Sequence, residues 1–211
     1  MKQMPFYSNR LDNLSCMLAS IRSVLEYFTG KQYSWKELED IIGYKHGRAA
    51  WTVQVWTYLA THGFDIRMIE GFDYQRYMDE GETYLQTFLK PEELEWQLQH
   101  TNLLEIRPLL PEFTKHVTHE RRSPGLRDID EMLEDGRLVT VQLNLNTLNG
   151  TPGYNAHMIV VYDKDNSAYV AHDPGLPPHE ARHIDPVLLY KAMGGKNNTV
   201  EVTGIKLRNH E

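Results

Sequence analysis

Residues 156–175 read AHMIVVYDKDNSAYVAHDPG, and this stretch has the pattern of two β-strands joined by a tight turn. Its arms, 157–162 and 168–172, are rich in β-branched and aromatic residues, which favour strands. The polar run 163–167 between them is typical of a hairpin turn. The stretch therefore predicts an antiparallel hairpin that begins near His157 and ends near Asp173.

In the rest of the chain, the spacing of apolar residues changes near residue 136. Beyond that point further strands are predicted over 138–145 and 199–207, with a short helix over 188–193. Before it the apolar spacing is mostly helical. The predicted elements there are helices at 16–28, 34–42, 49–62, 125–133, a short strand at 64–69, one or two helical pieces over 74–113 and loop over 108–124.

Helices followed by a mostly antiparallel sheet predict the α+β class. The length of 211 residues suits a single domain over 1–211. Within it we expect a mainly helical lobe over 1–136, including a variable helical segment at 70–120, and a mainly β lobe over 137–211.

Composition excludes several classes of function. A formal net charge of −7 argues against nucleic acid as a partner. No apolar run approaches the ~20 residues that span a bilayer, so no membrane partner is expected. Residues 1–10 lack the apolar core of a secretion signal, and the chain has a single cysteine. These features predict a cytoplasmic protein; the oligomeric state is left open.

The single cysteine, Cys16, lies in the first turn of the helix predicted over 16–28. Asn13 or Ser15 can cap the start of that helix, and Gly30 suits its end. A helix N-terminus stabilises a thiolate and lowers the thiol pKa, and the Cys16 N–H can face a developing oxyanion. The alternative for this position is a small buried apolar side chain.

The hairpin supplies a partner for such a thiol. Counted about its turn, His157 and Asp173 are almost symmetric, so antiparallel pairing predicts them nearly opposite each other and within side-chain reach. A carboxylate beside an imidazole fixes its tautomer and stabilises the imidazolium. Together with Cys16 this pattern predicts a nucleophile, base and orienting acid.

Five stretches carry a resemblance to a known family. The N-terminal segments 5–9 and 16–28 look like the nucleophile region of C39-like peptidases; 133–142 resembles their helix, glycine and buried strand, and 156–163 with 169–175 is similar to their histidine strand and Asp-Pro turn. The resemblance implies a papain-like fold. It also implies a cysteine peptidase with Cys16 as nucleophile, His157 as base and Asp173 as orienter.

The chain departs from that family pattern at two places. Met17 and Leu18 stand where the family usually has Gly-Pro, and Asn9 falls on the slot of an oxyanion-binding glutamine. The resemblance therefore implies an oxyanion hole formed by Asn9 and Cys16. Asparagine offers the same amide donor on a side chain one methylene shorter, and loss of such a donor costs ~10²–10³ in rate.

A metal site is the competing interpretation of the C-terminal half, on the strength of His172, His179 and His183 with Asp173. No second cysteine, acidic third ligand at helical spacing or His-Glu-x-x-His motif accompanies them, so no metal and no cofactor is expected.

The predicted function is hydrolysis of an amide, peptide or thioester bond in a peptide or amide-containing substrate. Acyl transfer by the same residues, or peptide binding without catalysis, are the alternatives.

Overall fold

The structure is a computed structural model that describes residues 3–10, 15–165, 167–195 and 200–208. Over these residues the chain forms α-helices that pack against a single seven-stranded sheet. The helices are α1 Cys16–Thr29, α2 Trp35–Ile42, α3 Val53–Thr61, α4 Tyr74–Glu80, α5 Glu82–Phe88, α6 Pro91–His100, α7 Leu103–Ile106, α8 Leu110–His116, α9 Leu126–Glu134, α10 Leu145–Leu148 and α11 Pro186–Ala192. The strands are β1 Phe64–Glu70, β2 Thr118–Arg121, β3 Leu138–Asn144, β4 Ala156–Lys164, β5 Tyr169–Asp173, β6 His179–Ile184 and β7 Val202–Leu207.

The strand order across the sheet is β2-β1-β7-β3-β4-β5-β6. Every neighbouring pair is antiparallel except β1 and β2, which are parallel. The predicted α+β class with a mostly antiparallel sheet is confirmed. β1 and β2, which come from the mainly helical first part of the chain, extend the same sheet as the later strands.

The sheet is covered on both faces because alternate residues of its central strands are apolar on each side. In β4, Met158 and Val160 belong to the core shared with α1 and α3, whereas Ile159 and Val161 belong to the core shared with α9 and α11. On the first face Ser20 of α1 also donates a hydrogen bond to the Met158 carbonyl at 3.3 Å. The first helix is thereby held against the start of β4.

Helix α1 forms where its sequence predicts it. Leu18, Ile21, Val24 and Leu25 recur at helical spacing and are fully buried, each burial stabilising the fold by about 1.5–3 kcal/mol. The helix ends at Gly30, whose φ of 70° places it in the left-handed region. Its firm anchoring fixes the position of its first residue, Cys16.

Two other local predictions are confirmed. The helix predicted over 34–42 is found as α2, which starts at a capping box of Ser34 and Glu37 and ends at Gly43 in the left-handed conformation. The strands predicted over 64–69, 138–145, 157–162, 168–172 and 199–207 are found as β1, β3, β4, β5 and β7, with ends shifted by up to three residues.

The middle of the chain was predicted wrongly in detail. The one or two helical pieces expected over 74–113 are five short helices and a 3-10 turn at Arg107–Leu109. Gly81, with a φ of 59°, separates α4 from α5, and prolines stand at the start of α6 and α8. The loop expected over 108–124 contains α8 and also β2, a strand that is stabilised by pairing with distant β1.

Two elements of the C-terminal half were not predicted at all. α10 is a single turn after β3, and β6 is a polar edge strand whose residues are largely exposed. β6 lacks the apolar alternation that marks a strand in a sequence. Across the described residues, no helix has both the length and the apolar character needed to cross a membrane.

Candidate active site

Cys16 is the first residue of α1, and its side chain is half-buried. Ser15 occupies the N-cap position, but its side chain makes no capping hydrogen bond; Asn13, the other predicted cap, lies outside the described residues. The Ser15 N–H instead donates to Oδ1 of Asn9 at 2.8 Å. The helix start is therefore fixed from the N-terminal segment.

His157 lies at the start of β4, where it is only 5% exposed. Its Nε2 lies 2.7 Å from Oδ1 of Asp173, the last residue of β5. Because an ionised carboxylate only accepts, Nε2 is the donor of this hydrogen bond. The structure thus brings together the two side chains that the hairpin pattern put within reach.

The predicted pairing of these two residues was wrong in register. The ladder pairs Val160 with His172 and Val161 with Ala171, and a bulge follows between Val161 and Asp163. With this register His157 and Asp173 are offset along the strands rather than nearly opposite. The pairs Lys164–Tyr169 and Asp163–Val170 centre the hairpin one to two residues later than the symmetric count assumes, and the bulge on β4 shifts the later pairs back by only one residue.

The thiol of Cys16 is hydrogen-bonded to His157. Burial raises the pKa of this thiol, but the hydrogen bond and charge of His157, with backbone bonds at Met158 and Met17, outweigh it, so the pKa lies below its usual value. Burial also lowers the pKa of His157, yet the bonds to Asp173 and Cys16 raise it to about 9. Both shifts favour a thiolate beside an imidazolium.

Asp173 is 1% exposed and accepts three hydrogen bonds. Oδ1 accepts from His157 and from the Gly175 N–H at 2.9 Å, and Oδ2 accepts from Nη1 of Arg182 at 2.7 Å. Burial raises the pKa of this carboxyl, but these bonds, that of His157 first, hold it below its usual value. Asp173 is therefore ionised and fixed.

Gly175 and Arg182 contact Asp173 but are not among the site residues that the sequence predicts. Gly175 follows the Asp-Pro pair directly, so its closeness to Asp173 has a local signal. Arg182 lies nine residues downstream on β6, and no local pattern marks it because β6 itself carries none.

Asn9 is buried between the start of α1, which carries Cys16, and the turn that follows Asp173. Its Oδ1 accepts from the N–H groups of Ser15 and Arg10, at 2.8 and 2.9 Å, and its own N–H donates to the Pro174 carbonyl at 2.7 Å. It therefore contacts the neighbour of Cys16 and the neighbour of Asp173. The structure brings Asn9 to the site, and its oxyanion-binding role stays a prediction.

No family model and no curated protein matches the sequence. Among solved structures, seven chains match. One is the peptidase domain of Streptococcus ComA, a bi-functional ABC transporter involved in a quorum sensing pathway. It is 11% identical, with a TM-score of 0.50, and the alignment covers 98% of this chain and 100% of that one. The fold is that of a peptidase domain.

The N-terminal segment that carries Asn9 is anchored through His172. The Ala181 N–H donates to Nδ1 of His172 at 3.2 Å, which leaves Nε2 to donate to the Met4 carbonyl at 3.0 Å. Burial lowers the pKa of His172, in keeping with a neutral ring. Farther along the segment, the Arg22 guanidinium lies 3.9 Å from the centre of the Tyr7 ring, a cation–π contact.

The histidines of the metal interpretation do not converge. His172 has the two backbone partners just described, whereas His179 and His183 lie on the exposed edge strand β6. Residues four apart are neighbours on a helix but not along a strand. His183 Nδ1 lies 3.1 Å from Oδ2 of Asp165. In the described part of the chain, no group of three or more His, Cys, Asp or Glu side chains could hold a metal ion.

Proposed function

We propose that this protein is a cysteine-dependent hydrolase that cleaves an amide, peptide or thioester bond with Cys16, His157 and Asp173. The observation that carries the proposal is the chain of hydrogen bonds from the Cys16 thiol through His157 to Asp173. It links a thiol at a helix N-terminus to an imidazole and a buried carboxylate, the arrangement that activates a cysteine nucleophile. The peptidase-domain fold also supports it.

In the proposed reaction the Cys16 thiolate attacks the carbonyl carbon of the substrate. The negative charge that develops on the carbonyl oxygen is stabilised by the Cys16 N–H and by the side-chain amide of Asn9. His157 gives its proton to the leaving group, and an acyl-enzyme thioester remains.

Water completes the cycle in this proposal. His157, now neutral, accepts a proton from water as the water attacks the thioester, and it returns that proton to the sulfur as the acid leaves. Throughout, Asp173 holds the imidazole through Nε2, so that Nδ1 is the ring nitrogen turned to the sulfur. If an amine attacks in place of water, the same residues carry out acyl transfer.

Alkylation by iodoacetamide, followed by mass spectrometry across pH, tests the first requirement of the proposal. The chain has one cysteine, so every cysteine adduct reports Cys16. We expect labelling to stay fast below the pH range in which an ordinary thiol ionises, because the thiol pKa lies below its usual value. His157→Ala should abolish the fast labelling. His183→Ala is the matched control, since His183 is exposed on β6 and should leave labelling unchanged.

Slow labelling that follows a free thiol, with a pKa of about 8.5, would count against the proposal. That is also the result expected of a protein that binds peptides without cleaving them. Trapping with an epoxide of the E-64 type gives a second readout, because ring opening needs both the thiolate and a proton donor.

A further inference from the structure

The carboxylate of Asp173 uses its two oxygens for different partners. Oδ1 accepts from His157 Nε2 and from the Gly175 N–H, whereas Oδ2 accepts from Nη1 of Arg182 at 2.7 Å. The Asp173 side chain is 1% exposed and that of Arg182 is 19% exposed. The ion pair is therefore shielded from water, where charge interactions are stronger than at the surface.

Arg182 is itself held from a second direction. Its Nη2 donates to the Leu148 carbonyl at 3.0 Å, at the end of α10. On β6 Arg182 pairs with Ala171 of β5, two residues before Asp173, and the ladder shifts register before Asp173 pairs with His179. Ala181, inside this bulge, has a φ of 49°. Bulges of this kind re-aim side chains, and here the guanidinium is directed at Asp173.

We propose that Arg182 is a positioning residue that fixes Asp173 through Oδ2 and offsets its charge, so that His157 is paired with a carboxylate already shared with a second cation. The inference rests on the proposed function of Cys16 and His157. It extends the three predicted residues to a row of four ionisable groups on four elements: Cys16 on α1, His157 on β4, Asp173 on β5 and Arg182 on β6.

The row explains how both protonation states of the site are tolerated in a buried place. When the thiol and imidazole are neutral, Asp173 is balanced by Arg182. When the proton moves from Cys16 to His157, thiolate, imidazolium, carboxylate and guanidinium alternate in sign, and their sum is still zero. Without Arg182 either state would leave one uncompensated buried negative charge, which is costly.

Among the described residues, removal of the Arg182 charge should therefore leave His157 as the one cation that balances Asp173. Its imidazolium becomes more stable and its pKa rises. In the described part of the chain, the titratable groups that bear on His157 and Asp173 from the packed elements are Cys16, Arg182 and these two themselves. From the usual effect of an opposite charge near a titrating group, we expect a rise of about one pH unit in Arg182→Gln.

The test is the pKa of His157, measured by NMR of the imidazole ring in the full chain for wild type, Arg182→Gln and Arg182→Lys. Arg182→Lys keeps the charge, so its His157 should titrate close to the wild-type value. A double-mutant cycle with Asp173→Asn separates a direct effect of Arg182 on the His157 pKa from an effect that acts through Asp173. If Arg182 acts through Asp173, Arg182→Gln should produce little further shift in an Asp173→Asn background.

An unchanged or lowered pKa of His157 in Arg182→Gln, or an equal rise in the Asp173→Asn background, would overturn the inference. A residue that only stabilises the fold would lower the melting temperature without moving this pKa upward. If Arg182→Gln does not fold, the His157 pKa is compared among wild type, Arg182→Lys and Asp173→Asn instead. A lysine variant whose His157 pKa differs by as much as that of Asp173→Asn would then refute the charge role.

This readout does not depend on turnover. A protein that failed the alkylation test of the proposed function would still give a His157 pKa and a response to Arg182. Conversely, fast alkylation with no response to Arg182 would leave the proposed function standing and remove the inference.

Discussion

The backbone N–H of Asn9 donates a hydrogen bond to the carbonyl oxygen of Pro174 at 2.7 Å. This bond joins the segment that precedes α1 to the turn that follows Asp173, which are more than 160 residues apart in the sequence. The side chain of Asn9 is at the same time fixed by the Ser15 and Arg10 N–H groups. Asn9 therefore has a structural role in addition to the oxyanion-binding role predicted for it.

Two substitutions at Asn9 separate these roles. Asn9→Asp keeps the oxygen that accepts from Ser15 but removes the amide donor, so we expect a folded protein whose kcat/KM falls by ~10²–10³. Asn9→Ala removes both and should also lose about 1–3 kcal/mol of unfolding free energy. Since a carboxylate near Cys16 also affects the thiol, the pH dependence of alkylation is measured alongside turnover. Wild-type turnover in both variants would show that Asn9 does not bind the oxyanion.

Gly175 is expected to tolerate no side chain. A Cβ there would lie 2.9 Å from Oδ1 of Asp173 and 3.4 Å from Nε2 of His157, so Gly175→Ala must push apart the hydrogen bond that joins them. We expect turnover to fall at least tenfold and fast alkylation of Cys16 to slow. Gly71→Ala is the matched control, because a Cβ at Gly71 meets nothing within 4 Å. Equal turnover in the two variants would contradict the geometry.

The pH dependence of the site follows from His157. Its pKa of about 9 depends on Asp173 and Cys16, which outweigh burial. The imidazolium is the proton donor to the leaving group, so acylation should fall as pH rises through that pKa. Asp173→Asn removes the charge that supports the imidazolium, and the alkaline limb of kcat/KM should move to lower pH. An alkaline limb that stays in place in this variant would mean that another group controls it.

A buried carboxyl away from the site gives a stability prediction. Glu70 is buried on β1 and hydrogen-bonded by Tyr74; burial first, and then the nearby charge of Glu201, raise its pKa well above the usual value. The folded state thus binds this proton more tightly than the unfolded chain, and stability falls as pH rises from the unfolded pKa through the folded one. Glu70→Gln removes this pH-dependent loss of stability. At a pH above the pKa of Glu70 in the folded state, the variant should therefore be more stable than wild type by roughly 1–2 kcal/mol. At low pH we expect no such gain.

The comparison for this prediction is Glu201→Gln. Glu201 accepts from Trp56 Nε1 at 2.8 Å, from Thr203 at 2.7 Å and from Thr52. An amide cannot replace both carboxylate oxygens as acceptors, so we expect this change not to stabilise the fold. Denaturant unfolding of both variants at low and high pH measures the difference. A Glu70→Gln variant less stable than wild type at high pH would refute the assignment.

Local sequence predicted those parts of the fold whose stability is local. Helix α1 follows from its apolar spacing and Gly30, α2 from its capping box, and β4 and β5 from their β-branched residues. β2 and β6 could not be predicted in this way, because short polar strands depend on pairing with β1 and β5 rather than on their own composition. The register of the hairpin was misjudged for a related reason, since neither the centre of the hairpin nor the bulge after Val161 has a signature in the local composition.

For the candidate site, the sequence by itself determined the residue types and their local setting: one cysteine at a helix start, a histidine at the head of an apolar strand, and an aspartate at the end of the hairpin. Only the tertiary structure decided which atoms meet. It placed α1 on β4, so that the Cys16 thiol contacts His157, and it brought Arg182 from an unpredicted edge strand to Asp173. Secondary structure follows from neighbours in the chain, whereas the partners of a buried charge follow from packing between elements that are distant in the sequence.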